Sequence, residues 1–324
     1  MRFELIFLGT SGGVPTDARN CSAAMLRTDT TDVLIDCAEG TQRQLMLAGL
    51  GMGKVSHILL THLHGDHYFG LPGLLSSLGL NGRTAPLSIT SPQHLRPRLS
   101  AVLEMDKYDL PFEVTFHTFH ANALEALHTV GDLEILAFPL QHRIATNGYL
   151  LRELPREANI SKEAIARHTI PWQAIGAIKA GGDYTANDGT IIPHAELTTT
   201  PPPPRSYAHC SDTIYFPELT DFISGVDLLY HEATFLQDMA EDATKKGHAT
   251  AAQAATIARD AGVGKLVMGH FSTRYENGAA HETEARTIFA NSHAADDLWR
   301  IEVPFRGRKS GTLIHSPLPF PPKN

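Results

Sequence analysis

A dense run of metal-binding side chains directly after a strand constrains this chain more than any other feature of its sequence. The segment "VSHILL" predicts a buried strand, and the residues after it supply His62, His64, Asp66 and His67. His62 and His64 are two residues apart and point to one side of an extended chain, whereas Gly65 is free in φ and lets the chain turn before the other two. Four ligands that face two ways are too many for one ion, so the spacing predicts two metals. The competing interpretation is a helix start capped by His and Asp, or a loop of solvated histidines.

Further ligands are expected at the ends of later strands, and three residues qualify. His142 follows "LEILAFPL", Asp212 follows "RSYAHC", and His270 ends "KLVMGH". Ser211 and Thr213 flank the aspartate and could orient its carboxylate. Each of the three has an ordinary explanation as a loop, turn or strand-end residue, but together, on one edge of the predicted sheets, they favour metal binding. Imidazole and carboxylate ligands without thiolates are typical of Zn²⁺, Mn²⁺ or Fe²⁺.

The order of strands and helices predicts an α/β (α+β) chain. Apolar segments indicate strands at "FELIFLG", "SAAMLR" and "DVLID", and "GTQRQLMLAGL" follows them with a helical period. After a sheet-rich middle, strand and helix alternate again in "VDLLYHEATF", "ATAAQAATIARDAG" and "KLVMGH". This order favours a sandwich of two sheets with helices outside over a doubly wound parallel sheet.

Residues 152–204 interrupt this order and predict an inserted arm. The segment ends in "TTTPPPP", which indicates an extended, semi-rigid connector. Its polar, proline-bounded composition predicts an exposed, flexible segment without a core of its own. The expected organisation is therefore a single domain over residues 1–324 that carries this arm.

The net charge limits the possible binding partners of the chain, and its cysteine content indicates the cellular compartment. The formal net charge of −8 disfavours a broad, non-specific grip on nucleic acid, so any such contact has to be local. Cys21, Cys37 and Cys210 form no CxxC pair, which argues against a disulfide framework and a thiolate zinc site. The start "MRFELIFLGT" has no basic leader, and no apolar stretch reaches membrane-spanning length. We expect a cytoplasmic protein without a membrane anchor.

Motifs along nearly the whole chain resemble those of one family and occur in its order. They are "FLGTSGGVPT", "RNCSA", "LIDCAEGTQRQL", "THLHGDHYFGLPGLL", "PLQHRIATNGY", "SDT", "HEATF", "HATAAQAA" and "GHFSTRY". The HxHxDH element is typical of the metallo-β-lactamase superfamily. "DCAEGTQRQL", "HGDHYFGLPGLL" and "HEATF" are more specific and are similar to the ribonuclease Z family, which processes tRNA 3′ ends. The resemblance implies a four-layer αββα metallo-β-lactamase sandwich with an inserted arm that serves as a tRNA exosite.

The resemblance also assigns roles to individual residues. It implies that Asp66, His248 and Glu232 form a proton-handling chain, although the residue pattern by itself favours a helix cap for His248. Carried over position by position, it implies two zinc ions, one bound by His62, His64 and His142, the other by Asp66, His67 and His270, with Asp212 as the bridge.

The expected chemistry is metal-assisted hydrolysis of a phosphodiester. Two adjacent cations can activate water and stabilise both the attacking and the leaving oxygen of a displacement at phosphorus. Ser272, Thr273 and Arg274 could bind the non-bridging oxygens, although Arg274 could equally form a surface ion pair. The resemblance implies a zinc-dependent endoribonuclease that removes 3′ trailers from precursor tRNA, leaves a tRNA 3′-hydroxyl, and acts as a homodimer.

The insertion is where the sequence departs from the family. From Arg152 to Lys179 it has five cationic and three anionic residues, a weaker basic character than tRNA-gripping arms usually have. One alternative is a related dinuclear metallo-hydrolase that acts on a small phosphodiester, a sulfate ester or another ester. The other is a non-catalytic binding protein that kept the fold. The intact ligand set counts against the non-catalytic protein, and the arm favours the tRNA enzyme over the small-ester hydrolase.

Overall fold

Two large β-sheets organise the chain in the structure, a computed structural model that describes residues 1–105, 110–306 and 313–314. The strands are, in chain order, β1 (Phe3–Gly9), β2 (Ala23–Thr28), β3 (Asp32–Ile35), β4 (Val55–Leu59), β5 (Leu87–Ser91), β6 (Val114–Thr118), β7 (Glu125–Val130), β8 (Leu133–Leu140), β9 (Thr146–Glu153), β10 (Asn159–Ile160), β11 (Tyr184–Thr185), β12 (Ile191–Ile192), β13 (Thr198–Thr199), β14 (Ser206–Cys210), β15 (Leu228–Glu232), β16 (Leu266–Gly269), β17 (Ser292–Ala294), β18 (Arg300–Glu302) and β19 (Leu313–Ile314).

Helices follow most of the central strands. The α-helices are α1 (Thr41–Leu47), α2 (Gly65–Tyr68), α3 (Leu71–Leu80), α4 (Arg96–Leu103), α5 (Lys162–His168), α6 (Trp172–Lys179), α7 (His194–Leu197), α8 (Leu219–Phe222), α9 (Ala240–Lys246), α10 (Ala251–Asp260) and α11 (Ala279–Arg286), and short 3₁₀ helices cover Met52–Lys54 and Gln237–Met239. No helix in the described ranges combines the length and apolar character needed to span a membrane.

Both large sheets are mixed. The first has eight strands in the order β19-β18-β1-β2-β3-β4-β5-β6, and the second has seven in the order β17-β16-β15-β14-β9-β8-β7. Neighbouring strands from β3 to β6 are parallel, as are those from β14 to β17. The carboxyl ends of parallel strands share one edge of a sheet, which is where such folds place their ligand sites.

Three apolar clusters show that the sheets and helices form four layers. Phe3, Leu5 and Phe7 of β1 face a cluster that also contains residues of the second sheet, whereas Ile6 and Leu8 face the helices α1, α3 and α4. A third cluster packs the second sheet against α8, α10 and α11. Each such side chain contributes about 1.5–3 kcal/mol when it is fully buried. The predicted αββα sandwich is confirmed.

The insertion forms a compact unit of its own. The chain divides into one unit of residues 1–152, 205–304 and 313–314 and a second of residues 153–204 with 305–306, so far as it is described. The second unit contains two two-stranded sheets, β10-β13 and β11-β12. The expectation that it has no core is wrong, because it buries a small apolar cluster made of Ala164, Ile170, Ile178, Ile192 and Leu197.

Candidate metal centre

The motif after β4 presents its ligands in two directions, as its spacing predicts. His64 precedes α2 with extended backbone angles, φ −78° and ψ 149°, and its Nδ1 lies 3.1 Å from His62 Nε2. The other two ligands of the motif lie inside α2. The expected role of Gly65 is wrong, because its φ is not positive. An added Cβ at this position would lie 2.4 Å from the Phe69 ring, so a larger residue would require this exposed side chain to shift.

Two groups of candidate ligands meet at the carboxyl ends of the strands. His142, Asp212 and His270 follow β8, β14 and β16, so the second sheet delivers all three distant residues to the motif that follows β4 of the first sheet. Within each group the candidate ligand atoms lie within 4.8 Å of one another. The groups are His62, His64 and His142 with Asp212, and Asp66 and His67 with His270, and a third combination of the same kind joins Asp212 and His270 to His248.

Asp212 lies between the two groups. Its Oδ2 is 3.6 Å from His62 Nε2 and 3.7 Å from His142 Nε2. Its Oδ1 is 3.3 Å from His67 Nε2 and 3.2 Å from His270 Nε2. One buried carboxylate therefore turns one oxygen towards each group, which is the geometry that a bridging ligand requires.

Most of the candidate ligand histidines form a hydrogen bond through the ring nitrogen that does not face the cluster. Such a partner fixes the tautomer and the ring orientation, and leaves the other nitrogen for a metal. The Nδ1 partners are the Asp36 carboxylate for His67 (2.8 Å), the Gly247 carbonyl for His142 (2.8 Å), the Thr234 hydroxyl for His270 (2.9 Å) and the Thr61 hydroxyl for His62 (3.1 Å).

Asp36 is a residue of this site that the sequence alone did not reveal. It directly follows β3, is fully buried, and has a φ of 57°, which is uncommon outside glycine. Its carboxylate accepts hydrogen bonds from the backbone N–H and hydroxyl of Thr61 as well as from His67. The available signal was a carboxylate directly after the apolar strand, within "LIDC".

The glycine loop before β2 closes one side of the second group. Gly13 donates its N–H to Asp66 Oδ2 at 2.8 Å. Gly12 packs against His270, and an added Cβ at this position would lie 2.7 Å from the imidazole ring. His270 itself has a φ of 60°. A tight backbone therefore holds this ligand in place.

The charges of the cluster call for cations. The buried Nε2 atoms of His67 and His270 have no hydrogen-bond partner among the described residues. Burial opposes ionisation of Asp212, yet His270 and His67 hold its pKa well below the usual range. Burial also opposes charge on His67, yet Asp212, Asp36 and Asp66 raise its pKa well above the usual value. Buried carboxylates thus draw positive charge into a set of nitrogen and oxygen donors, and this set fits a divalent metal site.

His248 lies beside the cluster and does not cap a helix. The cap of α10 is Thr250, whose hydroxyl accepts the N–H of Gln253, so the cap interpretation is wrong. His248 Nδ1 lies 3.0 Å from Glu232 Oε1, which also accepts the N–H of Ala249. Burial opposes the charged imidazole, but Glu232 outweighs it and raises the pKa of His248 to about 9. The Glu232 carboxylate therefore favours the protonated form of His248.

A cavity of about 240 Å³ opens over the two groups. Of the three residues expected to bind phosphate, Ser272 and Thr273 line this cavity, but the structure does not bring Arg274 to its wall. Two basic residues that the sequence alone did not reveal, Arg143 and Lys246, line it instead. A larger cavity of about 530 Å³ lies elsewhere and contains none of these residues.

Known proteins share this sequence over most of its length. The profile of the metallo-beta-lactamase superfamily matches residues 16–270. Ribonuclease Z of Porphyromonas gingivalis is 40% identical over 93% of this chain and 99% of its own length. Ribonuclease Z of Bacteroides fragilis is 40% identical over 91% of this chain and 97% of its own length. That of Haloferax volcanii is 36% identical over 96% of this chain and 98% of its own length.

Solved structures share the fold. The short form of human tRNase Z covers 93% of this chain and 100% of its own, with a TM-score of 0.67 and 26% identity. A diphosphatase of the PhnP family covers 94% of this chain and 99% of its own, with a TM-score of 0.62. At 19% identity this similarity shows the fold alone.

Proposed function

The chain belongs to the ribonuclease Z family of the metallo-β-lactamase superfamily, and we propose that it is a metal-dependent endoribonuclease that removes 3′ trailers from precursor tRNA. One observation carries this proposal. Two groups of metal-ligand side chains share Asp212 beside His248, whose proton is held by Glu232. Such a pair of sites with an adjacent proton donor suits hydrolysis of a phosphodiester.

We assign two Zn²⁺ ions per chain to this site, and Mn²⁺ or Fe²⁺ would suit the same donors. When bound, such ions activate water and stabilise the charge that develops on the phosphate oxygens. His62, His64 and His142 would hold one ion, Asp66, His67 and His270 the other, and Asp212 would give one oxygen to each.

The side chains of the protein supply proton transfer. Because Glu232 holds His248 Nδ1, Nε2 is the nitrogen that can give a proton to the leaving 3′ oxygen as the P–O3′ bond breaks. The tRNA then ends in a 3′-hydroxyl, and the trailer leaves with a 5′-phosphate. Asp66 would accept the proton of the attacking water, and Ser272 and Thr273 would donate hydrogen bonds to the non-bridging oxygens.

We further propose that residues 153–204 are an arm that contacts tRNA. This segment has four Arg and Lys side chains against six Asp and Glu side chains, so phosphate contacts supply little of the binding. Trp172 in α6 is 77% exposed, and an exposed aromatic ring can stack on an unpaired base. We therefore expect arm-dependent affinity to fall only weakly with salt.

A homodimer in the cytoplasm completes the proposal. The three cysteines are buried and unpaired, which suits a reducing compartment. Met46 and Phe69 are large apolar side chains that are 66% and 62% exposed, and a second copy of the chain would cover such surface. Molecular mass in solution, measured by light scattering, tests the dimer.

Incubation with a 3′-extended precursor tRNA tests the function. We expect one cut that leaves a 3′-hydroxyl on the tRNA and a 5′-phosphate on the trailer. A variant in which a short Gly/Ser linker replaces residues 153–204 should lose this cleavage but still hydrolyse bis(p-nitrophenyl) phosphate, because every proposed ligand lies outside the segment. If the deletion spares both activities equally, or the parent hydrolyses only the small ester, the small-ester hydrolase is the better assignment.

A further inference from the structure

Arg143 and Lys246 bring two positive charges to the cavity wall, and neither is paired with a carboxylate of the described residues. Among the described residues, the carboxylates in the cavity wall belong to Asp66 and Asp212, which face the metal-ligand groups. Within the described part of the chain, no carboxylate oxygen lies within 4.0 Å of either basic group. The neighbouring Lys245 differs, because its Nζ lies 3.6 Å from Glu241. In a chain with a net charge of −8, two unpaired cations at one cavity indicate an anionic ligand.

Both basic side chains are held in place without using up their donors. Lys246 Nζ lies 5.2 Å from the centroid of the Phe235 ring, a contact that leaves the ammonium N–H groups available. Arg143 Nη2 donates to the Lys245 carbonyl at 3.0 Å, which uses one of the five guanidinium donors. Side chains that are already ordered lose less entropy when they bind a ligand.

The cavity is too small to enclose a polynucleotide. Its volume of about 240 Å³ is below the range of about 300–1,000 Å³ that is usual for small-molecule sites. The reacting phosphate and the groups next to it can fill it, so the next phosphate of an RNA chain has to lie at its mouth. Arg143 and Lys246 are the exposed basic residues of the cavity wall.

The position of His248 indicates which phosphate next to the cleaved bond Arg143 and Lys246 would contact. Lys246 precedes His248 by two residues, and Arg143 follows His142, whose ring centroid lies 5.4 Å from that of His248. His248 faces the leaving 3′ oxygen in the function proposed above, on which this step rests. We propose that Arg143 and Lys246 bind the 5′-side phosphate of the nucleotide that carries this oxygen, one nucleotide upstream of the cut. The site then selects RNA over a small diester through a charge on the retained side of the substrate.

Lys246→Gln and Lys245→Gln form a matched pair for the test. Lys245 is an adjacent exposed lysine that does not line the cavity. On a 3′-extended precursor RNA, Lys246→Gln should raise KM about 5-fold, the effect of about 1 kcal/mol from one exposed charge pair. Arg143→Gln should do the same, Lys246→Arg should restore the parent KM, and Lys245→Gln should match the parent. The slope of log KM against log salt should fall by about 0.7 for one lost phosphate contact.

A neutral methylphosphonate at single positions of the RNA locates the contact. Placed one phosphate upstream of the cut, it should raise the KM of the parent by about 25-fold, because both contacts of about 5-fold are lost together, and Lys246→Gln should add nothing further. Placed one phosphate downstream, its effect and that of Lys246→Gln should multiply. The proposal is overturned if the two effects multiply at the upstream position, or if Lys246→Gln and Lys245→Gln behave alike. Failure of the parent to cut any RNA would instead overturn the function on which this proposal rests.

Discussion

Replacing Asp36 by Asn tests whether hydrogen bonds to the proposed ligands, such as that between Asp36 and His67 Nδ1, set the metal affinity. Asn has the same shape and tolerates the left-handed backbone that Asp36 adopts, with φ 57°. It cannot keep every hydrogen bond, because the carboxylate accepts both the Thr61 N–H and the His67 Nδ1–H, each at 2.8 Å. One side of an Asn amide is a donor, so one of these N–H groups would face another donor.

The loss should fall on His67. The Thr61 N–H cannot change, whereas an imidazole can move its proton from Nδ1 to Nε2. The proton would then sit on the atom that lies 3.3 Å from Asp212 Oδ1 and 3.5 Å from Asp66 Oδ2. Loss of a partner behind a ligating histidine usually lowers metal affinity 10–100-fold, which corresponds to about 1.4–2.8 kcal/mol. We expect this loss at the ion assigned to His67.

Competition with a chromophoric zinc chelator measures this change, and circular dichroism reports whether the variant is folded. Asp32→Asn is the matched control, because Asp32 begins the same strand but pairs with Arg27 at 3.1 Å. The control should bind zinc like the parent. A folded Asp36→Asn variant with the zinc affinity of the parent would refute the role assigned to this carboxylate.

Chelation, substitution and pH should affect other parts of the molecule in distinct ways. A chelator should remove close to two metal ions per chain, counted by elemental analysis, and abolish hydrolysis of bis(p-nitrophenyl) phosphate until Zn²⁺ or Mn²⁺ is restored. His248→Ala should keep its metal and lower kcat on precursor tRNA by about 10²–10⁴, and an unchanged kcat excludes it as the proton donor. Gly12→Ala should lower zinc affinity in the chelator competition by crowding the His270 ring, unlike Gly53→Ala, whose Cβ enters open space. Burial raises the pKa of Asp297 from 3.8 to about 6. The folded chain therefore keeps this proton between about pH 4 and 6 while the unfolded chain loses it, so the free energy of unfolding should fall by up to about 3 kcal/mol as pH rises through this window, relative to Asp297→Asn measured by urea titration.

The proximity of the proposed ligands that are close in sequence could be predicted because their geometry is local. An extended segment directly after a strand places His62 and His64, two residues apart, on the same side of the chain. Asp212 and His270 could be predicted by a different rule, since they follow the parallel strands β14 and β16, whose carboxyl ends reach the same edge of the sheet, whereas His142 could be predicted only as a histidine after a strand.

Contacts between separate loops could not be predicted from spacing. Asp36 and His67 are 31 residues apart in the sequence and form a hydrogen bond in the structure. The sequence around either residue gives no signal of this contact. Arg143 and Lys246 enter the cavity wall because the loop after β8 packs against the end of α9, whereas the Arg274 guanidinium lies 5.4 Å from the centroid of the Phe235 ring and not at the wall. The core of the insertion was missed for a similar reason, because its buried residues are spaced too widely to show a helical or strand period.

The proposed ligands come from both sheets, and this would link the chemistry of the site to the stability of the fold. His62, His64 and the rest of the motif follow β4 of the first sheet, whereas Asp212 follows β14 of the second. The proposed ions would therefore join the two sheets at this edge. A metal that binds only the folded ligand arrangement adds its binding free energy to that of folding. The buried Asp212 and Asp36 carboxylates raise the pKa of His67, so this edge of the sheets favours positive charge. The proposed cations would supply that charge in addition to the chemistry of the reaction.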